Sequence, residues 1–419
     1  MSMIHLCLVC LVSCTVTLVA ADPGDRFVDL LEAWGDSQRS ERQSAAAAVQ
    51  RAEPEEPPRA VWRAIGEVVK DRQRELGRLV DGRAIGAIAQ VLAPQMAEAR
   101  SEIIRQAQKP KGYDKNAKGI VQQHVTALRR IWEDPLGAAG PAAAPLREQQ
   151  AALGRIYADL QELQGYLALW PTVDNDLVFV DPGSAETWIE DIAKSGLRPE
   201  GSDAIMAYNQ TRSWLADEEK RLLWLMNDHR AMVGLPAMEV DARLCRAAQA
   251  HCRDMAQHSF FNHKSPVLGK EQPVDRTRLA GYNDRSIGEN IAKDQSSATG
   301  AFNAWCDSPG HHSNMLRPFT QIGVGHYTSY WTQVFGMGRS VVLGKGRRDK
   351  VCEVVESILA LGDRLSPDQR RQVAGIAAQD RLIGIALEHL EALVRADPSD
   401  AQSRAALQQM KEAMEKFAR

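Results

Sequence analysis

Three observations predict an α+β domain set between two mainly helical regions. Apolar residues recur at helical spacing from Asp217 to Met255, with a single break at Gly234-Leu235-Pro236. Short β-branched and aromatic runs then take over at Ile287–Ala292, Gln321–Tyr327 and Tyr330–Phe335. Before residue 200 and after residue 349 the helical pattern returns. Helices first and strands last, around one sheet, give a layered α+β architecture.

The chain has 419 residues, enough for two to three domains, with 44% hydrophobic and 25% charged residues, as in ordinary globular proteins. A net charge of -3, with no ribbon of alternating basic and aromatic residues, argues against nucleic acid as a partner. Residues 1–21 read as an export signal. Leu6 to Val19 is nearly all apolar, and Val19-Ala20-Ala21 puts small residues before Asp22-Pro23-Gly24, so cleavage is expected after Ala21. The amino end carries His5 where Lys or Arg is usual. Leu11-Val12-Ser13-Cys14 also has the form of a lipoprotein cleavage box, with Cys14 as the lipidated residue, and an uncleaved anchor is a third reading. The run is shorter than the roughly 20 residues of a membrane span, and no comparable run recurs after residue 22. The expected location is therefore outside the cell or at its envelope.

Residues 22–200 form the first helical region. Phe27, Leu30, Leu31 and Trp34 share a helix face, and Gly35-Asp36-Ser37 reads as that helix's end. Glu53 to Pro58 reads as a loop, Val61 to Leu92 as a second helical run, and Gly137 to Pro145 as a linker before a helix near Leu146–Leu169. Leu177-Val178-Phe179-Val180 is the one strand expected here.

The central domain is placed at residues 201–340. Leu222, Leu223, Leu225, Met226 and Met232 make a helix face that stops at Gly234, a C-terminal glycine. Asp241 is the expected N-cap of a second helix with Leu244, Ala247, Ala248, His251, Cys252 and Met255 on one buried side. On that face His251 reads as a core residue and is left out of the site. Ala301 to Cys306 is a short helix ended by Ser308-Pro309-Gly310, and the last two strands form a hairpin about Thr328-Ser329. Residues 349–419 are helical. Ser366-Pro367 opens a helix, and Ala386–Pro398 with Ala401–Met414 resembles one tetratricopeptide-type hairpin, a docking appendage rather than a peptide-binding array.

Outside the leader the cysteines are Cys245, Cys252, Cys306 and Cys352. Cys245 and Cys252 sit about 10.5 Å apart along one helix, beyond the roughly 7 Å reach of a disulfide. Two pairings remain, each using Cys306 and Cys352, and the alternative is four buried thiols.

Eight blocks occur in order within residues 217–340: Asn227-Asp228-His229-Arg230, Gly234-Leu235-Pro236, Asp254-Met255-Ala256, His263-Lys264-Ser265-Pro266, Gly288-Glu289-Asn290-Ile291-Ala292, Trp305, Ser308-Pro309-Gly310-His311 and Thr332-Gln333-Val334-Phe335-Gly336. Together they resemble the CAP superfamily of cysteine-rich secretory, antigen 5 and pathogenesis-related proteins, in its bacterial SCP-like secreted form. The resemblance implies an α-β-α sandwich with a central antiparallel sheet and a surface cleft. It also implies a cleft tetrad of two histidines and two glutamates, proposed to hold zinc or another divalent ion. His263 and Glu289 match the first pair. Ser308 and Tyr330 stand where the second glutamate and second histidine would fall, and His311 restores an imidazole from another backbone position.

The expected cleft set is thus His263, Glu289, Ser308, His311 and Tyr330, with His312 a weaker candidate. His263, Glu289 and His311 would meet the three-ligand count of a catalytic zinc. Glu289 instead bracing a neighbouring histidine is the alternative. A Ser308–His311 nucleophile pair lacks an orienting third group, so no catalytic residue is assigned. The whole constellation could also be a polar network pinning loops to the sheet. The favoured expectation is an exported binding or scaffold protein, with an unknown cleft ligand and protein partners for the helical flanks. The alternative is a metal-assisted, peptidase-like hydrolase using His263, Glu289 and His311. No apolar groove for the sterols or fatty acids proposed for some family members is evident.

Overall fold

The computed structural model describes residues 22–418 apart from 55–56, 80–81, 110–111, 171–184, 285, 347–349 and 363–364. The export signal with Cys14 and the strand expected at Leu177–Val180 lie outside the described residues. The chain divides into two compact units, residues 22–77 with 155–170 and residues 78–154 with 185–418 among those described.

The first unit is helical. Phe27 and Leu31 are fully buried, and Phe27 meets the Tyr166 ring edge-on at 5.2 Å. The buried Arg42 donates to both oxygens of Glu162, at 2.8 and 3.0 Å, and to the Ser37 carbonyl at 2.6 Å. Ser37 itself donates back to the Leu30 carbonyl at 2.8 Å. Gly35-Asp36-Ser37 is therefore a helix terminus, held by its own hydroxyl.

In the second unit a helix over Gly82–Ala107 buries Ile88, Leu92, Met96 and Ile103. The run expected from Val61 to Leu92 is thus two helices, Arg59–Leu79 and Gly82–Ala107. The linker expected at Gly137–Pro145 is instead a series of tight helical turns, Pro135–Ala139, Gly140–Ala143 and Ala144–Glu148. Asp134 caps the first through the Gly137 amide at 2.8 Å, and Gly140 takes the positive φ (56°) that joins it to the second. Ala139, Ala143 and Leu146 are buried in the same core as Leu92. A Gly-Ala-Pro composition serves close helical packing here, because small side chains let the backbone approach.

The central domain follows. Helix α1 spans Asp217–Met232, and Gly234 at φ 84° ends it. Strand β1 is Glu239–Val240, α2 is Ala242–Gln257 and α3 is Pro273–Leu279. Then come β2 (Gly288–Ala292), α4 (Ala298–Asp307), α5 (Pro309–Met315), β3 (Gln321–Tyr327) and β4 (Tyr330–Gly336). Asp241 caps α2 by accepting from the Arg243 amide at 2.9 Å. The sheet order is β1-β3-β4-β2. β3 and β4 form the expected antiparallel hairpin, β2 pairs antiparallel to β4 with Glu289 opposite Val334, and β1 adds a short parallel edge to β3. The implied antiparallel sheet is therefore mixed by that one two-residue edge, which carries too little apolar pattern to be read from sequence.

Alternation along the strands builds the sandwich. Ile291, Tyr330 and Val334 pack with Leu244, Cys252 and Met255 of α2. Ile322, Val324, Trp331 and Phe335 pack with Leu222, Met226, Phe302 and Trp305 of α1 and α4. Gly323 and Gly325 let β3 lie directly on α2, since a Cβ at either would collide with the helix backbone. The outer edge of β2 is closed by side chains: Asn314 donates to the Glu289 carbonyl at 3.3 Å and Trp305 to the Ile291 carbonyl at 3.0 Å.

Helices α6 (Lys350–Ala360), α7 (Pro367–Gln379), α8 (Ile383–Ala396) and α9 (Ala401–Ala418) complete the unit. Ser366 caps α7 through the Gln369 amide at 3.2 Å. The α8–α9 hairpin is docked on the central domain, where Gly384 sits against Leu279 of α3. Among the described residues Cys245, Cys252, Cys306 and Cys352 form no disulfide, with Cys245, Cys252 and Cys352 buried and Cys306 half-buried.

Candidate functional site

Two of the expected site residues, His263 and Glu289, meet at the edge strand β2. Glu289, second residue of β2, turns toward α2, because its neighbours Gly288 and Asn290 face the other way. Its carboxylate is buried, with a partner on each oxygen. Oε2 accepts from Arg276 Nη2 at 2.7 Å, and Oε1 lies 2.9 Å from His263 Nδ1 and 3.8 Å from His251 Nε2. Burial pushes the Glu289 carboxyl up, but the His263 bond and the Arg276 charge lead the opposing effects, and the net shift is downward. Glu289 is therefore ionised and can only accept, so His263 Nδ1 donates. That leaves Nε2 of His263 on a side chain 49% exposed.

Arg276 on α3 does more than neutralise Glu289. Its guanidinium also donates to the Lys270 carbonyl at 2.8 Å and to the His263 carbonyl at 3.1 Å. One buried cation thus fixes the carboxylate and the backbone of the histidine it orients. His251, fully buried on α2, donates Nε2–H to the Asn262 carbonyl at 3.1 Å, anchoring the same loop, while its Nδ1 has no partner. Burial holds the His251 pKa down to about 4, so it is neutral at pH 7.

Sequence reasoning missed both residues. Arg276 precedes Glu289 by 13 positions in a short helix with no signature, and His251 sits on an apolar face where a core role is the natural reading. His251 is in the core, with Nε2 3.8 Å from Glu289 Oε1.

The other expected cleft residues divide. Ser308 ends α4 and starts α5, half-buried, and its carbonyl accepts from the His312 amide at 2.8 Å. Ser-Pro-Gly is a stop that restarts as a helix. His311 is half-buried on α5, its pKa lowered by burial and then by the nearby His263. Tyr330 opens β4 and is 9% exposed. The half-exposed Phe261 lies across its ring at 6.4 Å, and Lys293 Nζ sits 5.5 Å from its centre.

His312 points away from the cleft. Its Nδ1 is 2.6 Å from the Tyr113 hydroxyl and its Nε2 is 2.8 Å from His229 Nε2, all three groups being buried. Burial lowers the His312 pKa to about 4. Both rings are therefore neutral, and Tyr113 donating to His312, with His312 donating to His229, leaves no hydroxyl stranded.

A metal ion would find the carboxylate–histidine arrangement familiar from metal ligands, with Glu289 behind His263. Glu289, however, acts as the partner of His263 and Arg276 rather than as a ligand beside them. Among the described residues no group of three His, Cys, Asp or Glu side chains is placed to hold an ion. The set His263, Glu289 and His311 does not meet the three-ligand requirement in this arrangement.

Comparison with known proteins places the domain. The profile of the Cysteine-rich secretory protein family (CAP) matches residues 223–336. The uncharacterized protein YkwD of Bacillus subtilis (strain 168) is 39% identical over 120 residues, 28% of this chain and 46% of that protein. The uncharacterized membrane protein YlbC of the same organism is 33% identical over 118 residues, 28% of this chain and 34% of that protein. This chain thus spans less than half the length of either relative. An extracellular protein containing a SCP domain from Bacillus anthracis str. Ames, known at 1.5 Å, shares 30% identity over 33% of this chain and 45% of its own, with a TM-score of 0.28. Residues 223–336 carry a CAP domain of the cysteine-rich secretory protein family, similar to that of the bacterial relative YkwD.

Proposed function

We propose that this protein is exported and acts by binding, with the cleft around His263 presented to a ligand outside the cell or at its envelope. The observation that supports this best is the buried Glu289 carboxylate, with one oxygen on Arg276 and the other on His263. Arg276 and His263 both bind it, so it serves to aim the exposed Nε2 of His263 outward in a fixed pose. His311, Ser308 and Tyr330 belong to the same proposed cleft. The apolar run Leu6–Val19 supports export, and among the described residues no helix is long and apolar enough to cross a membrane. In this reading residues 1–21 are the export signal, 22–200 and 349–419 are helical regions for docking, and 201–340 carry the cleft.

A hydrolase is the competing reading, favoured by the same Glu289–His263 pair, because a carboxylate-oriented imidazole is the form of a general base. The experiment uses purified residues 22–419 and the His263→Ala variant. Metal content by elemental analysis and zinc-dependent cleavage of a fluorogenic peptide library are measured, with saturable retention of small molecules from an envelope extract. Binding predicts retention by the wild type, loss with His263→Ala, and no cleavage. Zinc-dependent cleavage abolished by His263→Ala overturns it.

A further inference from the structure

Alternation along β2 carries the site beyond the Glu289–His263 pair. Glu289 meets His263, Ile291 packs with Tyr330 and Met255, and Lys293 follows at the same two-residue spacing. The Lys293 ammonium lies 5.5 Å from the centre of the Tyr330 ring. Four residues of extended chain separate Glu289 from Lys293, about 13 Å. Phe261 links the two ends. It precedes His263 by two residues, is 47% exposed, and its ring centre is 6.4 Å from that of Tyr330.

The polar atoms along this strip are open. Tyr330 is 9% exposed, and its hydroxyl has no hydrogen-bond partner among the described residues although it is not sealed from solvent. The exposed Lys293 makes no ion pair among them, Asp294 beside it included. His263 Nε2 has no partner either, and His311 comes near that ring from α5. The loop that carries Phe261 and His263 is nevertheless set. Arg276 donates to the His263 and Lys270 carbonyls, the Ser265 amide to the Glu271 carbonyl at 2.9 Å, and the Lys270 amide to the Val267 carbonyl at 3.0 Å. Held in place and left without partners, these groups suit recognition by side chains. A peptide adding itself as a strand would find the Glu289 and Ile291 carbonyls of β2 already taken by Asn314 and Trp305.

We propose that the ligand of this site is an acidic saccharide, with one sugar face on Phe261, its hydroxyls on Tyr330 Oη and His263 Nε2, and its carboxylate on Lys293. Three features select this class. A sugar ring has an apolar C–H face that packs on an exposed aromatic ring and needs no deep apolar pocket. Its hydroxyls both donate and accept, so they pair with a phenol and with an imidazole in either protonation state. A carboxylate supplies Lys293 with the anion that the protein does not, in a charge-assisted bond. This rests on His263 marking the binding site, and it names what binds there.

The test is saturation-transfer NMR on the full chain with galacturonate, glucuronate, N-acetylmuramate and N-acetylneuraminate, and with the methyl ester of each. We expect at least one acid to bind, about tenfold tighter than its ester. Lys293→Met should erase that difference and leave ester binding as it was. Phe261→Ser should weaken acid and ester alike, and Tyr330→Phe, which keeps the ring, should weaken both by less. Should Phe261→Ser disturb the fold, Phe261→Leu keeps apolar bulk without the ring face and must still lower binding. Absence of binding by all four acids overturns the proposal, as do esters that bind as well as the acids. Binding left unchanged by Lys293→Met and by both Phe261 variants overturns it too. Failure of the binding reading has another signature, since nothing would then be retained from the envelope extract in a His263-dependent way. Retained material free of sugar leaves that reading standing and sinks the saccharide alone.

Discussion

His311 and His312 are neighbours on one short helix, yet they belong to two different chemistries. His311 is half-buried on the side where His263 acts on it, while His312 is buried in a chain of neutral hydrogen bonds from Tyr113 to His229. The cleft gathers ionised partners around Glu289, whereas the inner chain has none and depends on burial to stay uncharged. An ionised cluster is rigid because removing any member leaves a bare charge. A neutral chain costs less to break, but it resists acid because neither ring can accept a proton cheaply.

The largest effect should come from breaking the ionised side. Arg276→Met keeps the length of the side chain but leaves the Glu289 carboxylate, 2% exposed, without its buried cation and with the His263 bond alone. Removing one member of such a pair typically costs about 3–5 kcal/mol. Urea unfolding should show a loss of that size, with His263 released from its fixed pose. A loss under about 1 kcal/mol would mean that water reaches Glu289, and the contrast between the two regions would fail.

Acid should separate the regions next. The pKa values of His251 and His312 are both held to about 4 in the folded chain against 6.5 when unfolded, by burial in each case. The unfolded chain therefore binds more protons between pH 6.5 and 4, and stability falls as pH drops through that window. It is fully present above 6.5. Each group contributes a slope of at most about 1.4 kcal/mol per pH unit. His312→Gln should flatten the slope of unfolding free energy against pH by about one proton in that window. An unchanged slope would show that His312 is charged in the fold.

What the sequence revealed follows the same division. The helix over Asp217–Met232, the cap at Asp241, the hairpin about Thr328-Ser329 and the pairing of His263 with Glu289 each rest on local pattern or family likeness, and all are seen in the structure. The direction of His312 rests on where α5 starts. Ser308 ends one helix and starts the next, and that restart sends two adjacent rings to different environments. Arg276 was illegible because a lone charged residue on an amphipathic helix normally faces water, and only tertiary pairing shows otherwise. Gly137–Pro145 misled for a related reason: small residues mark flexible linkers and close-packed turns alike, and the buried Ala139, Ala143 and Leu146 decide between them.

The mildest break is on the neutral side. Tyr113→Phe removes only the hydroxyl that donates to His312, at 2.6 Å, and leaves the ring that meets His312 edge-on at 5.8 Å. The Tyr113 amide keeps its bond to Ser313 Oγ at 3.2 Å, so the segment stays attached. The cost should be about 1–2 kcal/mol, the worth of one buried bond together with an imidazole nitrogen left without a donor. Urea midpoints at pH 7.5 measure it, and hydrogen exchange at Ser265 and Lys270 should not change, because no ionised group of the cleft touches Tyr113. If those loop amides do respond, the two histidine regions share one mechanical unit through α5, and the division drawn from His311 and His312 is incorrect.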